Sequence, residues 1–203
     1  MNDRLTAFVT RRLFAVLALV GTVLTGVLGV TGQIDHNPHL NHITLTVSDF
    51  AVADRGGPTD WAMVLFGASG LALNFALRPC RLAAFSLLVF GASMVVTAVF
   101  PTDVGTDLST TGYVHRYASV SAFVALPVAA LLIARRFPGT VAVRWAHGLV
   151  LASGVFMVLM LGSAWAADRA LLGLIERLLI GSELVLLGLL AWLAGPGRLG
   201  SPR

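Results

Sequence analysis

The side chains best placed for chemistry lie where charge is expensive. Leu171 to Leu193 reads LLGLIERLLIGSELVLLGLLAWL, long enough to span a bilayer, yet it carries Glu176, Arg177 and Glu183. Charges inside such a segment face a protein interior or a wet cavity. A helical wheel puts Gly173, Glu176, Arg177, Ile180, Gly181, Glu183, Leu187, Gly188 and Ala191 on one side, expected to pack on other helices. The other side holds Leu172, Leu174, Ile175, Leu178, Leu179, Val185, Leu186, Leu189 and Leu190, with Ser182, and is expected to face lipid. Glu183 falls about 18 Å along the segment, near the middle of a core of about 30 Å. Glu176 and Arg177 point about 100° apart, so their partners should come from elsewhere in the chain.

Those partners are sought in the loops predicted to lie on the same side. Asp49 is in the first of them, Asp103 follows Pro101, His115 and Arg116 open a helix, and Asp168 and Arg169 lead into the last one. Together with Glu176 and Arg177 they could converge over a cavity floored by Glu183. Three chemistries fit this set. A network of ion pairs, with Arg177 on Asp103 or Glu176, would satisfy charges that cannot stay bare in lipid. A pocket could hold a lipid headgroup or another small amphiphile. An active site could use His115 as general base or metal ligand beside Asp103 and Glu176, giving a membrane-embedded hydrolase or transferase.

A second cluster, Asp35, His36, His39 and His42, joins imidazoles to a carboxylate, donors that suit zinc, copper or nickel. Its three-residue spacing, broken by Pro38, is not the i, i+4 pair of a helical metal site, and a solvated loop is the plainer reading. A metal here is the one exception to an expectation of no cofactor. No phosphate-cradling glycine loop, HExxH or GxSxG is present. His147 and the single cysteine, Cys80, fall on the opposite side and read as structural.

The elements that must hold these residues are helices. The chain has 203 residues, 57% hydrophobic and 12% charged, against about 25% charged for a soluble domain. Apolar runs at Leu13–Thr31, Trp61–Leu77, Leu82–Phe100, Tyr117–Ala134, Trp145–Trp165 and Leu171–Leu193 predict an all-α bundle of six transmembrane helices. Residues 1–12 are read as a cytoplasmic segment, 13–193 as the bundle and 194–203 as a disordered cytoplasmic tail. The polar stretch from Gln33 to Asp60 is read as a loop. All 14 basic residues are arginine, and they crowd the N-terminus, the second and fourth turns and the tail. By the positive-inside rule both termini are cytoplasmic. All four tryptophans fall at predicted membrane interfaces. The composition points to a bacterial chain and the localisation to the inner, or plasma, membrane. The scattered arginines form no stripe for nucleic acid.

The order of short motifs along these helices resembles that of the bacterial membrane-protein family known as domain of unknown function 998. The motifs are Val47-Ser48-Asp49-Phe50, Phe100-Pro101-Thr102-Asp103, Gly112 with His115, and Gly173-Leu174-Ile175-Glu176-Arg177. The resemblance implies a six-helix membrane bundle, marks Asp49, Asp103, His115, Glu176 and Arg177 as family-like positions, and supplies no reaction. The leading expectation is a non-enzymatic role: binding a lipid or small amphiphile, or assisting an unidentified membrane partner.

Overall fold

Hydroxyl and proline residues set where the helices begin. In the computed structural model, which describes residues 2–34, 40–103 and 107–195, these residues form seven helices and no strand. They are α1 (Asn2–Thr31), α2 (Val47–Ala53), α3 (Pro58–Leu77), α4 (Arg81–Val99), α5 (Thr110–Ala134), α6 (Val141–Ala166) and α7 (Leu172–Leu193). Thr46, Ser109 and Thr140 each accept a backbone N–H of the helix that follows. Each satisfies one of the donors that a helix start leaves free. Pro58 opens α3, where its missing N–H costs nothing.

Five helices, α1 and α3 to α6, are long and apolar enough to cross a membrane. The chain is therefore an all-α, multi-pass membrane protein. The expected sixth span, α7, which carries Glu176, Arg177 and Glu183, is not among the five. The remaining helix is the short α2, inside the stretch read from sequence as a plain loop. Three starts also lie four or more residues before the expected ones. Helix α1 begins at Asn2, so residues expected as a separate segment continue the first helix. Helix α5 begins at Thr110 rather than Tyr117, and α6 at Val141 rather than Trp145. In each case capping or charged residues extend the helix beyond its apolar run. The expected tail lies, from residue 196 on, outside the described residues.

The long helices form a ring. Helix α1 packs on α3, α3 on α4, α4 on α5, α5 on α6, α6 on α7, and α7 returns to α1. Helix α7 also meets α2, α3 and α5, which makes it the element around which the bundle is organised. In a bilayer, burying leucine gains little over leaving it in lipid, so close van der Waals contact holds such helices together. Helices α3 and α4 cross where a Cβ on Gly67 would come within 2.7 Å of the Gly91 carbonyl. Phe66 and Phe90 meet edge to face beside it, with centroids 5.0 Å apart.

The wheel for α7 needs correcting. Leu172, Ile175, Leu179, Ser182, Leu186 and Leu190, assigned to lipid, are buried, whereas Gly181, assigned inward, is exposed. Only a narrow stripe through Leu174, Leu178, Val185 and Trp192 is exposed. The reason is α6, which covers the flank that the wheel left bare. Ser182 shows the contact: its hydroxyl lies 2.9 Å from that of Ser153 on α6 and 2.8 Å from the Leu179 carbonyl.

Candidate functional site

The polar residues of the motifs meet around α2. Thr46 and Asp49 close a capping box. The Thr46 N–H donates to Asp49 Oδ2 at 2.8 Å, and the Asp49 N–H donates to Thr46 Oγ1 at 3.1 Å. Helix α2 is then fastened to the bundle from three directions. Arg169, in the turn before α7, reaches Asp49 Oδ2 at 3.3 Å. Glu176 accepts the Val47 N–H at 2.5 Å. On the third side, Ser48 Oγ lies 2.9 Å from His115 Nε2 on α5.

Arg177 holds the chain leading into α2. Its Nη1 donates to the carbonyls of His42 and Leu45 at 2.8 Å and of Gly173 at 2.9 Å. Its Nη2 donates to the Gln33 side-chain oxygen. The guanidinium also sits 5.1 Å from the Phe50 ring centre, and His42 stacks on the same ring at 4.7 Å. Gly173 lets this happen, because a Cβ there would collide with the Leu45 carbonyl oxygen. Hydrogen bonds from a charged donor contribute about 1.5–3 kcal/mol each. Arg177 is the broader clamp, reaching three backbone carbonyls and the Gln33 side chain.

The expected arrangement is partly corrected. Arg177 spends these donors on neutral oxygens rather than on Asp103 or Glu176. Asp103 is held in its own turn, accepting from Ser109 N at 2.7 Å and from Ser109 Oγ at 3.0 Å. It therefore shapes the start of α5 instead of joining His115 and Glu176. Arg116 is exposed. Glu183 is fully buried, and neither carboxylate oxygen has a hydrogen-bond partner among the described residues. It shares its face of α7 with Leu179, Leu186 and Leu187 and does not floor the cavity described below. Asp35, His36 and His39 lie outside the described residues, and His42 is engaged with Phe50 and Arg177. No group of three histidine, cysteine or acidic residues that could hold a metal occurs among the described residues.

Three residues that composition did not single out belong to the site. Ser48 and Gln33 contact His115 and Arg177. Arg55 donates to Asp60 Oδ1 and to the carbonyls of Ala98 and Val99, all at 3.2 Å, tying the end of α4 to the segment between α2 and α3. Ser48 was visible only as a member of its motif. Arg55 and Asp60 had no signal beyond their charge.

Beneath α2 lies a cavity of about 530 Å³. Its outer end is polar, with Gln33, His42, Ser48, Glu176 and Arg177. Its deeper wall is apolar, with Met63, Phe66, Met94, Phe123 and Leu184. Helix α1 contributes Gly26, Gly29 and Val30, and α7 contributes Ile180 and Gly181. A shallow groove outside, lined by Val23, Val27 and Val185, shares Gly26, Val30 and Leu184 with it. Val23, Val27, Val30 and Val185 are each more than half exposed. The cavity thus opens between α1 and α7 onto the apolar outer surface of the bundle.

A multi-pass helical membrane protein with a capped, largely apolar cavity opening between two helices is the class that this fold and site define. The chain belongs to the family described as Protein of unknown function (DUF998), whose sequence model matches residues 19–193. No curated protein and no solved structure matches the chain. Residues from three of the four motifs that carried the resemblance build the roof of the cavity: Val47-Ser48-Asp49-Phe50 is the first half of α2, and His115, Gly173, Glu176 and Arg177 hold it down.

Proposed function

We propose that the protein binds a phospholipid of its own bilayer, with one acyl chain in the cavity and the headgroup under α2. The observation that carries this reading is the mouth between α1 and α7, which joins an apolar cavity to an apolar surface. A ligand that arrives by that route comes from the membrane. The volume falls within the roughly 300–1,000 Å³ usual for small-ligand sites. It suits one chain, and the second chain can remain in lipid through the mouth. The outer end carries the Arg177 cation, which the neutral oxygens around it do not cancel. The phosphate of a lipid head complements that cation.

In this reading α7 is a sixth span, both termini are cytoplasmic, and α2 lies on the external side of a bacterial inner membrane. The distribution of arginine and the exposed tryptophans support that placement. The test is a phosphatidylethanolamine carrying a diazirine in one acyl chain, mixed into liposomes with the full chain. Light-induced crosslinks should map to Met63, Phe66 or Phe123. Crosslinks confined to exposed residues such as Leu151 and Val158 would contradict the reading.

A further inference from the structure

Ser48 differs from the other polar groups of the cap. Its hydroxyl is within 2.9 Å of His115 Nε2, and it also faces the cavity. The other ring nitrogen, Nδ1, lies 2.7 Å from the Phe100 carbonyl oxygen and 3.0 Å from that of Thr97. Carbonyl oxygens only accept, so Nδ1 carries the hydrogen. In the neutral ring Nε2 is then a lone-pair acceptor facing the Ser48 hydroxyl. This is the relation of an activated nucleophile: a hydroxyl against a base, with the base oriented by a third group at its far nitrogen. Here two carbonyls take the place that a carboxylate holds in the serine–histidine–aspartate arrangement.

Position strengthens the case. Ser48 and His115 are both buried, on elements fixed by contacts on several sides. Ser48 stands where the polar end of the cavity meets the apolar wall. An ester-linked lipid has its ester at the same boundary, between head and chain. Three other hydroxyls of the cavity lining are spent on carbonyls of their own helices, Thr25 on that of Gly21 at 2.8 Å among them. Thr97 donates to the Ser93 carbonyl at 2.9 Å, and Ser119 donates to the His115 carbonyl at 2.9 Å.

We infer that Ser48 is a nucleophile, with His115 as its general base, toward the ester of a lipid held in the cavity; this rests on the binding proposed above. Ser48 Oγ bonds to the acyl carbon as its proton passes to His115 Nε2. The ester C–O bond then breaks, and His115 returns the proton to the leaving alcohol oxygen. Water next adds to the acyl-Ser48 carbon and gives its proton to His115. The bond to Ser48 Oγ breaks, Oγ takes that proton back, and a free carboxylic acid leaves.

The test treats the full chain in liposomes with a long-chain alkyl fluorophosphonate and maps adducts by peptide mass spectrometry. Ser48 should be modified roughly a hundredfold or more faster than Ser119 or Thr97, the size of general-base assistance. That comparison needs only the native chain. His115→Gln should lose the advantage while its melting temperature shows that it is folded. Absence of a Ser48 adduct in protein that still crosslinks the diazirine lipid overturns the inference and leaves the binding reading intact. Equal modification of Ser48 and Ser119 also overturns it. A fast Ser48 adduct without lipid crosslinks upholds the serine–histidine pair and overturns the binding.

Discussion

Glu176 Oε2 and the backbone nitrogen of Val47 are joined at 2.5 Å although 129 positions separate them in the chain. One acidic residue of the last helix is thereby used to hold the short helix α2. Arg177, beside it, does the same for the preceding loop. The two charges face different ways, as neighbours on a helix must, yet both work on one roof.

Removing Arg177 should loosen that roof. Arg177→Met deletes the donor for the carbonyls of His42, Leu45 and Gly173. Leaving such groups unpaired costs about 1–3 kcal/mol each where they are buried. Partial exposure of this loop favours the low end, about 2–4 kcal/mol in all. The melting temperature in detergent should fall by about 5–15 °C, at roughly 2–4 °C per kcal/mol for a chain of this size. Arg177→Lys should recover only part, since one ammonium cannot span the fork. An unchanged melting point for Arg177→Met would show that the loop is held by other means.

Gly173 is needed for close approach. Gly173→Ala puts a methyl group against the Leu45 backbone and the Arg177 guanidinium. Gly112→Ala meets chiefly the Asp103 side chain, which can move. The first change should therefore expose the segment 40–57 to protease more than the second, although both add one methyl. Limited proteolysis of the two variants side by side measures this.

Glu183 should be dispensable for the fold. Its carboxylate is fully buried and its oxygens have no partner among the described residues. Replacing an unsatisfied buried polar group by an apolar one of similar volume is often neutral or stabilising by about 1–3 kcal/mol. Glu183→Leu should accordingly keep or raise the melting temperature and leave lipid crosslinking unchanged. A fall of more than a few degrees would mean that the carboxylate has a partner on which the core depends.

Orientation is open to a labelling test. Cys80 is free and exposed between Arg78 and Arg81, in a turn expected to face the cytoplasm. A membrane-impermeant maleimide should modify it only in opened cells. With Cys80→Ser as background, Asp107→Cys, at an exposed position of the opposite loop, should be modified in intact cells. The reverse pattern would invert the topology.

The long helices were legible because a bilayer demands runs of apolar residues, and the motifs were legible as short words in a fixed order. Helix α2 was not. Its seven residues are too few for a periodic signal, and its capping box uses Asp49 at the third position, where glutamate or glutamine is the more familiar sign. Glu176 and Arg177 were correctly read as inward-looking, since charge and burial leave little choice. Their partners were not legible, because backbone carbonyls and N–H groups carry no residue type. Asp103 shows the opposite error: an acid near the site by position, but claimed locally by Ser109. The wheel of α7 failed where a second helix, α6, covered a flank that periodicity alone assigns to lipid.

The most direct test closes the mouth of the cavity. Gly29 and Gly181 have open space where a side chain would project, so Gly29→Phe and Gly181→Phe should fill the gap between α1 and α7. Diazirine-lipid crosslinking to Met63, Phe66 and Phe123 should drop by roughly tenfold or more, equivalent to about 1.4 kcal/mol of binding, while the melting temperature stays within a few degrees. Undiminished crosslinking inside the cavity of the double variant would contradict a lipid path between α1 and α7.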